Sequence, residues 1–309
     1  LMNYQLSKAG QLDKGSQLDE GDQEQERLRK VEEIIEKGTL IVEDSDFLPQ
    51  WKTDWQVFCR RAREIEGEES GLAVIEVCDD ILANATNLGL SARMTILALR
   101  ANSRDMINEF SSARSDYLEL AELAYDAPSS ATYRARAAAS LASEVRNDVK
   151  MDTRTKITEL MRCRDEVESA AKLAENEPQP QRFKGEIAFL LALLHDSQQD
   201  HNQACKYASE ALTAAELYNE ILQTDPTSSD KDRDSATERR AATKEGHDQV
   251  FQAAGDSLSD KTDQDFESED LGELLTTVFT WLEERGDART HAQNTMHNRL
   301  KPRYDALSR

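Results

Sequence analysis

The stretch Ala92–Phe110, ARMTILALRANSRDMINEF, holds the pattern from which the rest of the chain can be read. Taking 100° per residue from Arg93 as zero, Arg100 falls at about −20° and Arg104 at about +20°, with Leu97 at about +40°, Ile107 at about −40° and Ile96 at about −60°. Three arginines therefore share one narrow line along a helix, bordered by apolar side chains. Two readings follow. Guanidiniums on one line offer forked donors to an anion such as phosphate, in a groove that is basic and apolar at once. Alternatively the helix belongs to the core, and its arginines snorkel to water or pair with carboxylates of neighbouring helices.

Outward from this stretch, apolar residues recur every three or four positions from Trp51 onward, which predicts helices over Lys52–Glu66, Gly71–Asn84, Ala92–Phe110, Ser111–Tyr125, Ala131–Val149, Arg154–Asn176, Arg182–Ser197 and Asn202–Gln223. Asp126-Ala127-Pro128-Ser129 and Glu177-Pro178-Gln179-Pro180 stop one helix and start the next. After Pro226 the chain turns polar, and residues 225–269 are expected to be a solvated insertion with a helix near Ala236–Ala254. A ninth helix is predicted from Asp270 to Glu284, where Leu271, Leu274, Leu275, Val278, Trp281 and Leu282 form a stripe. Residues 1–50 are expected to be a mobile polar extension with a short helix over Arg27–Lys37, and 286–309 a loosely held polar tail. The expected architecture is all-α: about nine antiparallel helices forming a concave cup or a short solenoid of helical hairpins.

Composition narrows the function. The 309 residues carry 38 Lys+Arg against 60 Asp+Glu, a net charge of −22, which repels phosphate backbones and acidic lipid surfaces. Neither nucleic acid nor membrane is therefore an expected partner. Twelve Gly and six Pro are too few for the turns of an all-β protein. The start, Leu1-Met2-Asn3-Tyr4, has no cationic region followed by an apolar one, so the chain reads as cytoplasmic. Cys59, Cys78, Cys163 and Cys205 lie far apart among apolar neighbours and read as core thiols. His195 and His201 are six residues apart, as are His291 and His297, which is not the spacing of two metal ligands on one helix face. No cofactor or metal is expected, and an enzyme assembled from scattered carboxylates has no local support.

The spacing Arg93-x6-Arg100-Ala101-x2-Arg104 resembles the third helix of the 14-3-3 family, where Lys-x6-Arg-Ala-x-x-Arg supplies the basic side of a phosphopeptide groove. Leu141-Ala142-Ser143-Glu144-Val145 is similar to that family's Leu-Ala-Glu-Val, and Arg182–His195 to its groove helix after a Pro-rich break. Ala204-Cys205-Lys206-Tyr207-Ala208 resembles its Ala-Cys-x-Leu-Ala, and Leu274-Leu275 to Trp281 the run in its ninth helix. The resemblance spans about residues 51–285. Departures are also visible: Ala139-Ser140 stands where the family has an Arg-Tyr pair that holds phosphate, Phe189 where its groove helix has an Asn, and the loop before the ninth helix is far longer.

The resemblance implies a non-catalytic adaptor that binds phosphoserine or phosphothreonine segments of partner proteins. In it Arg93 and Arg100 would grip the phosphate, Arg134 beside Tyr133 would complete the clamp, and Arg104 would hold its neighbours in place. Leu271, Leu274, Leu275 and Val278 would line the apolar wall. It also implies a homodimer through the first helices, where Trp51, Trp55 and Phe58 are large apolar groups. The alternative is a tetratricopeptide-like scaffold with no need of phosphate, since Phe110-x2-Ala113-x3-Tyr117 and Ala204-x3-Ala208-x2-Ala211 match parts of that repeat.

Overall fold

A computed structural model describes residues 68–84, 89–261 and 269–307. Within them the chain forms ten α-helices and no strand. They are α1 (Glu68–Asn84), α2 (Leu90–Met106), α3 (Phe110–Leu123), α4 (Ala127–Asn147), α5 (Thr153–Leu173), α6 (Pro178–Ser197), α7 (His201–Thr224), α8 (Asp230–Ser259), α9 (Glu269–Arg285) and α10 (His291–Leu307). The expected helix over Lys52–Glu66, the helix over Arg27–Lys37 and the dimer contacts of Trp51, Trp55 and Phe58 lie outside the described residues.

Acidic and hydroxyl side chains set the starts of several helices. Asp126 accepts from the Ser129 amide at 2.7 Å ahead of α4, and Asp152 accepts from that of Thr155 at 3.0 Å in α5. Asp200 caps α7, and Ser229 with Asp232 forms a capping box on α8. Each carboxylate sits against the positive end of a helix dipole and satisfies an amide that has no partner within the helix. Bonds from the Thr155 hydroxyl and amide hold the Asp152 carboxyl below its ordinary range.

The chain divides into two compact units. Among the described residues, one comprises those up to Met151 together with Asp165–Pro180, the other Asp152–Arg164 together with those from Gln181 onward. In the first, α1 packs on α2, α2 on α3 and α3 on α4. Its core includes Leu97, Ala101, Ala113, Tyr117, Leu120 and Ala137, all buried. Alanine at three of these six positions lets the helix axes approach closely, and Tyr117 fills the space so left.

In the second unit α7 packs against α8, and α8 against α9 and α10. Within the expected solvated insertion of 225–269, residues 230–259 instead form the 30-residue helix α8, one face of which is buried core. That face reads Ala236, Gly246, His247, Val250, Phe251, Ala254, Gly255 and Leu258. Two glycines, two alanines and a histidine contribute little hydropathy, so the stripe is faint in sequence although it is continuous in space. The small residues mark close approach. A Cβ at Gly246 would strike the ring of Phe189 in α6. The tail likewise needs correction, because 291–307 is a helix with Gln293, Met296 and Leu300 buried.

Replacing Gly246 by Val should therefore overpack the α6–α8 contact, costing about 1–3 kcal/mol. Thermal unfolding should show a midpoint several degrees lower, whereas Gly89→Ala, whose added Cβ would meet nothing within 4 Å, should lower it much less, by no more than the loss of a good N-cap residue.

Candidate functional site

The arginine line of α2 lies in the first unit, and each of its members meets a carboxylate. Arg100 donates through Nε and Nη2 to the two oxygens of Asp116, at 3.1 and 2.6 Å, and through Nη1 to Asp79 at 2.5 Å. Arg104 donates through Nη1 to the same Asp116 at 2.8 Å and lies 3.7 Å from Asp79. Arg93, further along, donates to Glu119 of α3 through Nη2 at 2.5 Å and Nε at 3.2 Å.

Burial separates these pairs. The Asp116 side chain is 3% exposed, and those of Arg100 and Arg104 are 15% and 16% exposed. A carboxylate so far from water needs several strong donors, and Asp116 receives three. Burial alone would discourage the charge on Arg100, but the bonds to Asp116 and Asp79 outweigh it and raise its pKa. The Arg93–Glu119 pair is largely solvated, at 49% and 35%, and adds no more than about 1 kcal/mol. The same wheel that aligned the arginines thus aligned them onto α1 and α3. Asp79 and Asp116 were missed in the sequence because acidic residues are abundant and nothing local distinguishes these two.

A second polar cluster follows immediately. The Tyr117 hydroxyl lies 2.8 Å from Asn102 Oδ1 and 3.1 Å from Asp105 Oδ2, and the Ser140 hydroxyl donates to Asp105 Oδ1 at 2.8 Å. Arg136 reaches Asn102 at 3.1 Å and lies over the Tyr117 ring. Burial raises the pKa of both Asp105 and Tyr117. Ser140, at the place of the expected Arg-Tyr pair, is therefore an interior hydrogen-bond donor. Of the nearest substitutes, Tyr133 packs against the core around Leu97 and Tyr117, Arg134 is exposed, and Arg136 is the residue bound to Asn102.

The expected apolar wall belongs to the second unit. Leu274, Leu275 and Val278 are core residues, buried to 4% exposure or less, and Leu271 is half-buried. A wall for a partner has to face solvent, and these three do not. Phe189, in the place of the family's groove asparagine, lies across Gly246.

Near the end of α9 a further charged cluster forms. Asp248 accepts from Arg285 at 2.5 Å and from the Trp281 indole at 3.1 Å, and His247 stacks on Phe251 with ring centres 4.3 Å apart. Burial lowers the His247 pKa, opposed by Asp248. The thiols of Cys78 and Cys205 are pushed up to about 12 by burial. Among the described residues no group of three or more His, Cys, Asp or Glu side chains is placed to hold a metal ion, and no helix is long and apolar enough to cross a membrane.

No family model matches the chain, and no curated protein matches its sequence.

Asp116→Ala would strand two guanidiniums that are largely out of water, at a cost of about 3 kcal/mol or more. Its melting midpoint should fall by roughly 6–12 °C, and Arg100→Ala should also lose stability, whereas Glu119→Ala should change it by less than about 1 kcal/mol.

His247 supplies a pH dependence of known sign. With its folded pKa below the unfolded one, the unfolded chain binds the extra proton first, so stability is lost as pH falls through the ordinary histidine range. Its imidazole resonance should titrate below that of an unfolded peptide, and His247→Gln should reduce the loss of melting midpoint on acidification.

Proposed function

We propose that the chain is a non-catalytic helical scaffold that binds segments of other proteins without requiring phosphate. The observation that carries this reading is Asp116. It takes up the forked donors of Arg100 and a donor of Arg104, the groups a phosphoserine adaptor would need to have free. A phosphate entering there would leave the buried Asp116 carboxylate beside a dianion and without its donors, an arrangement that low local polarity makes costly. Arg93 is engaged as well, by Glu119. The likeness to tetratricopeptide hairpins therefore describes the binding mode better than the phosphopeptide groove does.

A non-catalytic role is supported by the state of the groups that would otherwise react. Thiols held near 12 supply almost no thiolate at neutral pH. Asp105 is bound to Tyr117 and Ser140 where α2, α3 and α4 meet.

The test is an array of partner-derived peptides in phosphorylated and unphosphorylated pairs, probed with the full chain. Each phosphate–arginine contact would be worth about 1.5–3 kcal/mol, hence tenfold or more in affinity. Equal binding within each pair is expected. A consistent tenfold preference for phosphorylated members, lost in Arg100→Ala, would replace this reading with the phosphopeptide adaptor.

A further inference from the structure

The helix α10 lies on a surface made by α8 and α9, and the way it is held defines what that surface accepts. Met296 enters the space left by Gly255: a Cβ at that glycine would collide with the methionine sulfur and come within 3.2 Å of Val278 Cγ1. Leu300, four residues on, is fully buried. Further along, the half-exposed Leu307 only touches Gly272, where an added Cβ would lie at an ordinary 3.7 Å from Leu307 Cδ1. Between these anchors the rings of His297 and Tyr304 both stack on Phe279, with centres 4.9 and 4.3 Å apart. Arg303 donates to the carbonyls of Leu258 at 3.1 Å and Lys261 at 2.7 Å, at the end of α8. A cation is the group that the carbonyl end of a helix calls for.

Three features make α10 a weak resident of this groove. Only Gln293, Met296 and Leu300 of its 17 residues are buried. Pro302 lies inside the helix, where it removes a backbone donor and crowds the carbonyl one turn back. The link from α9 is the short 3-10 turn Gly286–Ala288, in which Gly286 has a φ of +47°, a conformation that suits glycine and lets the chain reverse direction. A segment of this polarity draws its helicity from the groove that holds it and has little of its own.

We propose that the α8/α9 groove is an exchangeable helix-binding site, with α10 as its intramolecular occupant. The partner it fits is an amphipathic helix carrying a flexible apolar residue, a leucine four positions later, an arginine three beyond that, and an aromatic residue next to the arginine. Such a helix fills the Gly255 and Leu300 positions, stacks on Phe279 and donates to the carbonyl end of α8. This is the helix-in-groove mode of recognition, and α10 competes with the partner at the high local concentration of a tethered segment. The inference deepens the scaffold reading and rests on it, but its test contains no phosphate and uses no other protein.

The probe is a labelled synthetic peptide of residues 289–307, titrated into the full chain and into the full chain carrying Met296→Asp and Leu300→Asp. The double substitution undocks α10 and vacates the groove. The variant is expected to keep a cooperative melt and to bind the peptide at least tenfold more tightly than the parent chain does, and a peptide bearing the same two aspartates should not bind. Loss of the cooperative melt would show α10 to be permanent core and would overturn the proposal. Unchanged peptide affinity would overturn it equally. Neither result bears on whether the parent chain distinguishes phosphorylated peptides, so a failure here and a failure of the scaffold reading are separately visible.

Discussion

A carboxylate withdrawn from water has to be surrounded by donors, and Asp116 is surrounded by two arginines. Arg100 presents a fork to it, Arg104 adds a third bond, and Asp79 balances the remaining charge from α1. The cluster ties α1, α2 and α3 together at one point and fixes which face of α2 turns inward. Once that face is set, Leu97 and Ala101 meet Tyr117 and Leu120, and Tyr117 carries the next polar cluster, with Asp105 and Ser140, into contact with α4. The first unit is thus organised around charges that must stay paired, with alanines allowing the close approach that pairing needs.

The second unit depends on shape more than on charge. Gly246 and Gly255 open seats on α8 that Phe189 and Met296 occupy. Charged groups pair there too: Arg164 on Glu210, Arg239 on Glu186, Arg285 on Asp248, which also accepts from the Trp281 indole, and Arg303 on carbonyls at the end of α8. The difference matters for function. A site built from paired charges resists an anionic newcomer, because removing one partner strands the other. Where shape dominates, as at Gly246 and Gly255, fit to the neighbour sets which side chain can sit there.

The negative balance of the chain also has a structural use. Asp126, Asp152, Asp200 and the Ser229–Asp232 box lie at helix starts, where the backbone supplies unsatisfied amides. Other acids, such as Asp79, Asp116 and Asp248, are bound to arginines. The charge of −22 is therefore part of how many helices are begun and joined.

The helices from α1 to α7 and α9 were legible in the sequence because their apolar residues recur at helical spacing and Pro or Asp marks their ends; the structure moves those boundaries by a few residues. The alignment of Arg93, Arg100 and Arg104 was legible too, since wheel geometry depends on residue number alone. What those arginines face was not, because Asp79 and Asp116 come from other helices and a chain with 60 acidic residues offers many candidates. Burial of α8 and docking of α10 were hidden for a related reason: their inward faces use glycine, alanine, glutamine and histidine, whose value lies in fitting a neighbour. Periodicity is a property of one helix and is written in the sequence. Pairing and fit are properties of two helices, and only the tertiary structure decides them.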